Sequence, residues 1–300
     1  MKDTGTRAER FEARVRRRWF LVLLSLITLI ISAVATIVGT GAQLYRWYER
    51  EHNWREAEVR KLQGLKAGFT LEHFRKVLGA PLFAAESRPE DEAEVKKNYD
   101  QDRAAYPDAF FSEPLSGLTS FTFKGRGFWV QAVVGTDGIV LGYAITACDN
   151  ELRPMFDRPD ARAITVNQDT FASLGGKGTE LNYFTPGATA NAYYVEYVYG
   201  GNPSNYQTFG WGLNDACPNF RTRVNESEGG APIDPDFLDS WEYQGDIADA
   251  PVYVRRFRDR AIVNTYAETA PVADFQAVFF DYFQVGPDRI QVRTLRSGEP

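Results

Sequence analysis

The chain has 300 residues, of which 44% are hydrophobic and 25% are charged, and its formal net charge is -6. This composition is typical of a chain that buries a core, so disorder throughout is excluded. The negative balance argues against a general nucleic-acid binder, because neutralising phosphates requires concentrated Lys and Arg, which this chain has only at its N-terminus.

The segment from Trp19 to Ala42 contains no charged residue. A helix of this length measures ~36 Å at ~1.5 Å per residue and would cross a hydrocarbon core of ~30 Å with some tilt. A cleaved signal peptide is the alternative, because arginines precede the segment and Ala33-Val34-Ala35 resembles a cleavage site. The apolar run continues past that triplet and exceeds the usual length of a signal-peptide core. We therefore predict an uncleaved transmembrane helix over residues 19–42, behind an N-terminal tail of residues 1–18.

The charges on either side of this segment indicate an orientation. Residues 1–18 and residues 44–66 hold similar numbers of Lys and Arg, but Arg16-Arg17-Arg18 lie directly beside the span. The positive-inside rule then favours a cytoplasmic tail and a large extracytoplasmic domain, which predicts a single-pass protein of the bacterial plasma membrane. Inverted topology would instead make the chain a cytoplasm-facing sensor or effector.

Charged residues dominate the segment after the span. Residues 43–66 are permissive for a helix and predict a juxtamembrane helix that acts as a stalk. The soluble domain is predicted to occupy residues 67–300. Its first element is a short amphipathic helix, because Thr70 is suited to be the N-cap, and Gly79 followed by Pro81 ends the apolar period.

The hydrophobic period changes to two after Leu118, which indicates β-strands. Three runs separated by Gly-containing turns predict an antiparallel meander, and they are residues 118–124, 128–134 and 139–147. A second round has a short helical segment at 166–175 and strands at 193–199 and 206–213. This repetition suggests an internal duplication of residues 67–150 and 160–217. The predicted fold class is α+β, with an N-terminal transmembrane helix followed by a domain of antiparallel sheet with short helices.

Aromatic residues are concentrated in residues 193–215, which hold five tyrosines, one phenylalanine and one tryptophan. Their alternation predicts a hairpin with one apolar face, so packing accounts for about half of them. Packing does not account for the turn and the far end of the hairpin, so these are the parts predicted to bind a ligand. The candidate binding residues are Asn202, Asn205, Tyr206, Gln207, Trp211, Asn214 and Asp215.

No catalytic residue, metal or cofactor is assigned. The large domain has one histidine, His73, which its helical position marks as a surface or packing residue, and no phosphate-binding loop, nucleophile elbow or zinc-protease motif occurs. A cluster of acidic residues keeps open an alternative function, a glycan hydrolase that uses Asp/Glu pairs. A turn that begins a helix explains the same acidic residues, because negative charge is favoured near a helix N-terminus. This cluster is Asp234, Asp236, Asp239 and Glu242. The basic stretch from Arg255 to Arg260 is predicted to pair with carboxylates.

The two cysteines, Cys148 and Cys217, are candidates for one disulfide if the domain faces an oxidising compartment. Two buried thiols are the alternative. In the membrane span, Ser32, Thr36 and Thr40 recur at a spacing that lets two helices approach closely, so homodimerisation is a hypothesis beside simple lipid exposure.

Three motifs together resemble a known group of envelope proteins: Gly68-Phe69-Thr70, Leu78-Gly79-Ala80-Pro81 and a meander containing Asp137-Gly138. This helix-then-sheet order over residues 68–147 resembles BamE-like envelope lipoproteins, which are binding or assembly modules. The chain differs from them in lacking a lipidated cysteine near its N-terminus.

The span, the Leu78-Gly79-x-Pro81 step and the stretch from Tyr199 to Gln207 with Asn214-Asp215 are also similar to an uncharacterised family of bacterial single-pass membrane proteins. This second resemblance implies no reaction. The predicted function is a membrane-anchored, non-enzymatic binding or assembly module of the cell envelope with a protein partner.

Overall fold

The computed structural model describes Trp19 and residues 53–106, 113–159, 161–176, 178–184, 193–201, 206–214, 216–217, 242–249, 252–271, 273–288 and 291–292. The chain divides into two compact units, residues 1–54 and residues 55–300. None of the helices in the described ranges is long and apolar enough to cross a membrane. Apart from Trp19, the transmembrane helix predicted over residues 19–42 falls outside those ranges.

The described strands are β1 (Phe83–Glu86), β2 (Thr119–Gly125), β3 (Phe128–Val134), β4 (Val140–Ala147), β5 (Met155–Arg158), β6 (Ala161–Thr165), β7 (Glu180–Phe184), β8 (Tyr193–Tyr199), β9 (Thr208–Asn214), β10 (Glu242–Asp246) and β11 (Thr265–Thr269). The described helices are α1 (Trp54–Gln63), α2 (Leu71–Leu78), α3 (Pro89–Ala105), α4 (Phe171–Leu174), α5 (Val252–Arg260) and α6 (Phe275–Phe279).

Nine of these strands form one antiparallel sheet in the order β1-β2-β3-β4-β11-β9-β8-β7-β10, and β5 and β6 form a separate hairpin. The α+β class with an antiparallel sheet and short helices is therefore confirmed, as is the meander of β2, β3 and β4. The helix predicted after Thr70 is also confirmed, because the Thr70 hydroxyl accepts a hydrogen bond from the His73 backbone N–H and Gly79 ends the helix with φ +91°. The position of β11 between β4 and β9 was not predicted.

One side of the sheet, called face A here, is covered by α1, α2, α4, α5 and the β5–β6 hairpin. A row of paired residues crosses face A on the central strands: Ile145, Tyr266, Trp211 and Glu196. Phe74 of α2 packs edge-on against Tyr143 with ring centroids 5.5 Å apart, and Phe156 of β5 stacks on Tyr266 at 4.0 Å. Face A is therefore an aromatic core that also contains a carboxylate.

The opposite side of the sheet, face B, is covered by α6 and the residues that follow it. Two glycines allow this close approach, because a Cβ atom at Gly142 would lie 2.7 Å from the Val278 side chain and one at Gly210 would lie 2.7 Å from the Phe275 ring. The Asp274 carboxylate caps α6 by accepting a hydrogen bond from the Ala277 backbone N–H at 3.0 Å. The apolar side of α6 is thereby fixed on the centre of the sheet.

Helix α1 differs from the stalk predicted over residues 43–66. Leu62 and Leu65 are 0% and 1% exposed, and the Leu65 carbonyl accepts a hydrogen bond from the Tyr143 hydroxyl at 3.1 Å. Arg55 forms a salt bridge with Asp149 at 3.0 Å. The sequence pattern did not indicate the burial of this segment, because it contains few apolar residues and many charged ones. The composition of the helix is therefore dominated by the residues on its solvent-exposed side. The domain core therefore begins before residue 67.

The two helix-and-meander units, α2 with β2–β4 and α4 with β7–β9, approach β11 from opposite sides in mirror order. Both helices nevertheless cover face A, since Phe74 contacts Tyr143 and Phe171 contacts Tyr194. A rotation about β11 that exchanged the two units would place their helices on opposite faces. The sheet therefore lends no support to the internal duplication predicted for residues 67–150 and 160–217.

Candidate functional site

The seven binding residues predicted on the hairpin do not form one site. Three of them lie outside the described residues: Asn202, Asn205 and Asp215. Tyr206 and Gln207 lie at the turn end of β9, whereas Asn214 ends the strand ~20 Å away at ~3.3 Å per residue. Trp211 lies between them with its side chain 0% exposed. Each of the four described residues therefore has a separate environment.

Asn214 links separate backbone segments of the domain through hydrogen bonds. Its Nδ2 donates to the carbonyl oxygen of Val285 at 2.9 Å, and its Oδ1 accepts from the backbone N–H of Ala216 at 2.8 Å. The Asn264 side chain bonds the backbone of Asn214 in both directions at 2.9 Å. Because Asn214 is 0% exposed, its amide is a structural group and is not open to a ligand.

Trp211 belongs to a buried charged network on face A. Its indole N–H donates to Glu196 Oε2 at 3.1 Å, and the Tyr194 hydroxyl donates to Glu196 Oε1 at 2.7 Å. Arg258 of α5 donates from Nε to Oε1 at 2.6 Å and from a terminal nitrogen to Oε2 at 3.1 Å. A carboxylate has about four lone-pair positions, so these donors occupy the acceptor capacity of Glu196.

This network connects the sheet to the helices above it. The Arg258 guanidinium also donates to the carbonyl oxygen of Gly175 at 2.9 Å, which joins the end of α4 to β8. Burial raises the pKa of Glu196, and the hydrogen bonds from Arg258, Tyr194 and Trp211 limit that rise. With no exposure and no open acceptor position, Glu196 cannot take a proton from a substrate. The prediction that the Arg255–Arg260 stretch pairs with carboxylates holds for Arg258.

A second buried carboxylate, that of Glu268, lies on β11 and also accepts a hydrogen bond from a tyrosine. The Tyr266 hydroxyl donates to Glu268 Oε2 at 2.6 Å, and the backbone N–H of Ala67 donates to Oε1 at 2.8 Å. Burial raises the pKa of Glu268, and these hydrogen bonds oppose the rise. Both glutamates follow a tyrosine two residues earlier, as Tyr194-x-Glu196 and Tyr266-x-Glu268. Sequence reasoning missed this repeated pattern, whose signal is an acid on the apolar side of a strand.

The turn end of the β8–β9 hairpin exposes two aromatic rings. Tyr199 is 60% exposed and Tyr206 is 42% exposed, and their ring centroids lie 6.4 Å apart. The Gln207 carbonyl accepts a hydrogen bond from the Gly200 backbone N–H at 2.8 Å, and its side chain donates to the Thr269 carbonyl oxygen at 3.2 Å. Gln207 therefore fixes the hairpin end to β11, while the two tyrosine rings, here called the tyrosine pair, face solvent.

Tyr206 has a backbone conformation that is unusual for a tyrosine. Its φ is +58°, in the left-handed region, which costs a non-glycine residue about 1–2 kcal/mol. The Tyr206 backbone N–H donates to the Gly201 carbonyl oxygen at 3.2 Å, and this hydrogen bond supports the conformation. Such outliers are concentrated at functional sites.

A groove with a volume of about 480 Å³ lies between α1 and α2. The residues that line it are Ala57, Arg60, Lys61, Gly64, His73 and Val77. The His73 ring packs edge-on against Phe69 with centroids 4.8 Å apart, and its Nε2 lies 3.4 Å from the Gly64 carbonyl oxygen. The groove is therefore lined by both apolar and cationic side chains.

The remaining candidates for a site are groups of metal-binding side chains and the two cysteines. Within the part of the chain that the structure describes, no group of three or more His, Cys, Asp or Glu side chains could hold a metal ion. Of the predicted acidic cluster, Asp234, Asp236 and Asp239 lie outside that part, and only the backbone of Glu242 is described. Cys148 and Cys217 are joined by a disulfide.

Comparisons with family models, curated proteins and solved structures found no match for the chain.

Proposed function

We propose that the protein is a membrane-anchored, non-enzymatic binding module of the bacterial cell envelope that holds a protein partner at the tyrosine pair. The observation that carries this proposal is the exposure of Tyr199 and Tyr206 side by side at the end of a buried hairpin. Tyrosine is enriched among residues that dominate protein interfaces, because its ring offers a large contact area with little side-chain entropy to lose.

The strand beneath the tyrosine pair is buried and is bonded to its neighbours. Every residue of β9 is buried, and Gln207 bonds the hairpin to β11. The Glu196–Arg258 ion pair fixes the same hairpin to the helices on face A. A preorganised surface loses less conformational entropy when a partner binds, so the buried network contributes to binding through the scaffold.

The location in the envelope rests on two features of the chain. The uncharged segment 19–42 supports a membrane anchor, and helix pairing through Ser32, Thr36 and Thr40 would allow a homodimer in the membrane. The disulfide between Cys148 and Cys217 supports an extracytoplasmic domain, because disulfides persist in oxidising compartments and are rare in the cytosol.

The decisive experiment removes the tyrosine pair without disturbing the backbone. The variant combines Tyr199→Ala with Tyr206→Asn, since asparagine tolerates the left-handed conformation better than alanine. The matched control combines Val252→Ala with Ile262→Asn, at positions that are 56% and 42% exposed. We expect the affinity for the partner captured from membranes by the wild-type protein to fall at least about tenfold for the tyrosine variant, as removing an interface hot spot does.

Unchanged affinity of the tyrosine variant, or an equal loss in the control, would contradict the assignment of the tyrosine pair. Capture of a glycan in place of a protein would contradict the proposed partner class. The anchor and its orientation are measured separately, by alkaline extraction of membranes and by reporter fusions at the C-terminus. Release by alkali, or a cytoplasmic reporter signal, would overturn the location in the envelope.

A further inference from the structure

We propose that the basic side of α1 and α2 binds anionic phospholipid headgroups and thereby holds the domain against the membrane surface. This basic face is defined by four exposed side chains, Arg60, Lys61, Lys66 and Lys76, whereas Arg75 of α2 lies over the Phe121 ring of β2, 5.5 Å from its centroid. The inference rests on the membrane anchor of the proposed function and adds a second binding surface, which is separate from the tyrosine pair.

Charge is unevenly distributed along the chain. Residues 54–79 contain six Lys or Arg and three Glu, a balance of +3, whereas residues 80–300 contain 19 Lys or Arg and 32 Asp or Glu, a balance of -13. An anionic surface attracts the first segment and repels the second, so electrostatics alone favours one orientation of the domain. The balance of +3 on residues 54–79 complements an anionic membrane.

Arg60 of the basic face is available to exchange its partner for a phosphate. Arg60 lies 3.7 Å from Glu56, and Lys61 lies 2.9 Å from Glu58, but the side chains of Arg60 and Lys61 are 70% and 47% exposed. Both side chains of the Arg60–Glu56 pair are exposed, and such pairs contribute about 0–1 kcal/mol and are screened by salt, so a headgroup phosphate can displace Glu56 at little cost. The Glu58 side chain is only 14% exposed, so Lys61 keeps this partner and adds positive charge at the edge of the site.

The shape of this region also suits a lipid headgroup. Arg60, Lys61, Ala57 and Val77 are among the residues that line the groove of about 480 Å³, so it offers cations to a phosphate and apolar surface to the glycerol carbons. Phe69 lies at the N-terminal side of α2 with 39% of its surface exposed. Aromatic rings beside cationic side chains are common where a protein contacts the interfacial layer of a bilayer.

The chain itself brings this face near a membrane. Residues 43–53 separate the predicted span from α1, and a chain of this length reaches at most ~40 Å at ~3.6 Å per residue. A tethered surface has a high effective concentration, so a weak headgroup site is occupied once the anchor is inserted. A nucleic-acid backbone offers similar phosphates, but no tether delivers it.

The test uses the full chain in nanodiscs of phosphatidylcholine alone and of phosphatidylcholine with phosphatidylglycerol in equal parts. Acetylation rates of individual lysines are measured by mass spectrometry, with Lys61 and Lys76 as reporters and Lys97 of α3, also exposed, as the internal control. We expect acetylation of Lys61 and Lys76 to slow at least about threefold in the anionic nanodiscs at ~0.1 M salt and to recover at ~1 M salt, where screening shortens the range of the attraction.

A charge variant tests the same face independently. Arg60→Gln leaves both reporter lysines in place and should weaken the slowing, whereas Arg103→Gln on α3 should leave it intact. Equal rates in both nanodiscs, equal slowing of Lys97, or equal slowing by inorganic phosphate in neutral nanodiscs would each overturn the inference alone. Failure of the chain to enter nanodiscs would overturn the membrane anchor and this inference together.

Discussion

Replacing Arg258 by methionine is the sharpest test of the buried network on face A. The side chains of Arg258 and Glu196 are 11% and 0% exposed, so the substitution leaves a carboxylate buried without its counterion. Breaking a buried ion pair from one side costs about 3–5 kcal/mol. Glu196 keeps the donors of Tyr194 and Trp211, so we expect a loss near the lower limit, about 3 kcal/mol of the free energy of unfolding.

The double variant Arg258→Met with Glu196→Gln separates the charge from the packing. Its neutral amide still accepts a hydrogen bond from Tyr194, so we expect the double variant to be more stable than Arg258→Met, with a coupling energy of at least about 1 kcal/mol. Stability is measured by urea unfolding in mild detergent, followed by tryptophan fluorescence. Arg256→Met, at an exposed position of the same helix, is the control. A loss below about 1 kcal/mol for Arg258→Met, or additive losses in the double variant, would refute the reasoning.

The disulfide, one acidic side chain and the packing of α1 support three further predictions. Replacing Cys148 and Cys217 by serine should lower stability by about 4 kcal/mol, because the bridge spans 69 residues, and a reductant should then no longer change the melting temperature. Asp281→Asn should raise the melting temperature above about pH 7, since burial, with a smaller contribution from Asp274, raises the pKa of Asp281 to about 6. The folded state binds this proton more tightly than the unfolded state, so the stability that Asp281 contributes is fully present below about pH 4 and is lost as pH rises through about 6. Because this side chain is only partly buried and solvent screens it, we expect the lost contribution to be roughly 1–2 kcal/mol, and the Asn variant should lack that loss in a series of thermal melts. Leu62→Ala should cost about 2–5 kcal/mol in urea unfolding, whereas the neighbouring exposed Gln63→Ala should cost little; equal effects would mean that α1 is a solvated stalk.

Local signals in the sequence were sufficient for several elements. The helix between Thr70 and Gly79 depends on capping groups within one turn of its ends, and the meander of β2, β3 and β4 depends on alternation interrupted by short turns. Such signals involve residues close together in the chain, where the number of alternatives is small.

The remainder of the fold depends on distant partners. Thr265 pairs with Thr146, and no pattern in either strand specifies a partner more than a hundred residues away. The same limit applies to the hairpin, where alternation identified an apolar face but not the Arg258 that would pair with Glu196. Trp211 was predicted to bind a ligand because an aromatic residue in a strand has the same pattern whether it is buried or exposed.

The central position of β11 has a consequence for how the chain reaches its native state. Strands β4 and β9 stay unpaired on one edge until residues 265–269 have been synthesised, because β11 is their common neighbour. Unpaired strand edges promote aggregation, and pairings between distant residues form slowly. Until then, the two halves of the sheet lack the strand that joins them, and partly folded species of this kind are prone to aggregate. A truncation before Thr265 would leave β4 and β9 without their common neighbour, so the sheet is complete only after this short strand has been made.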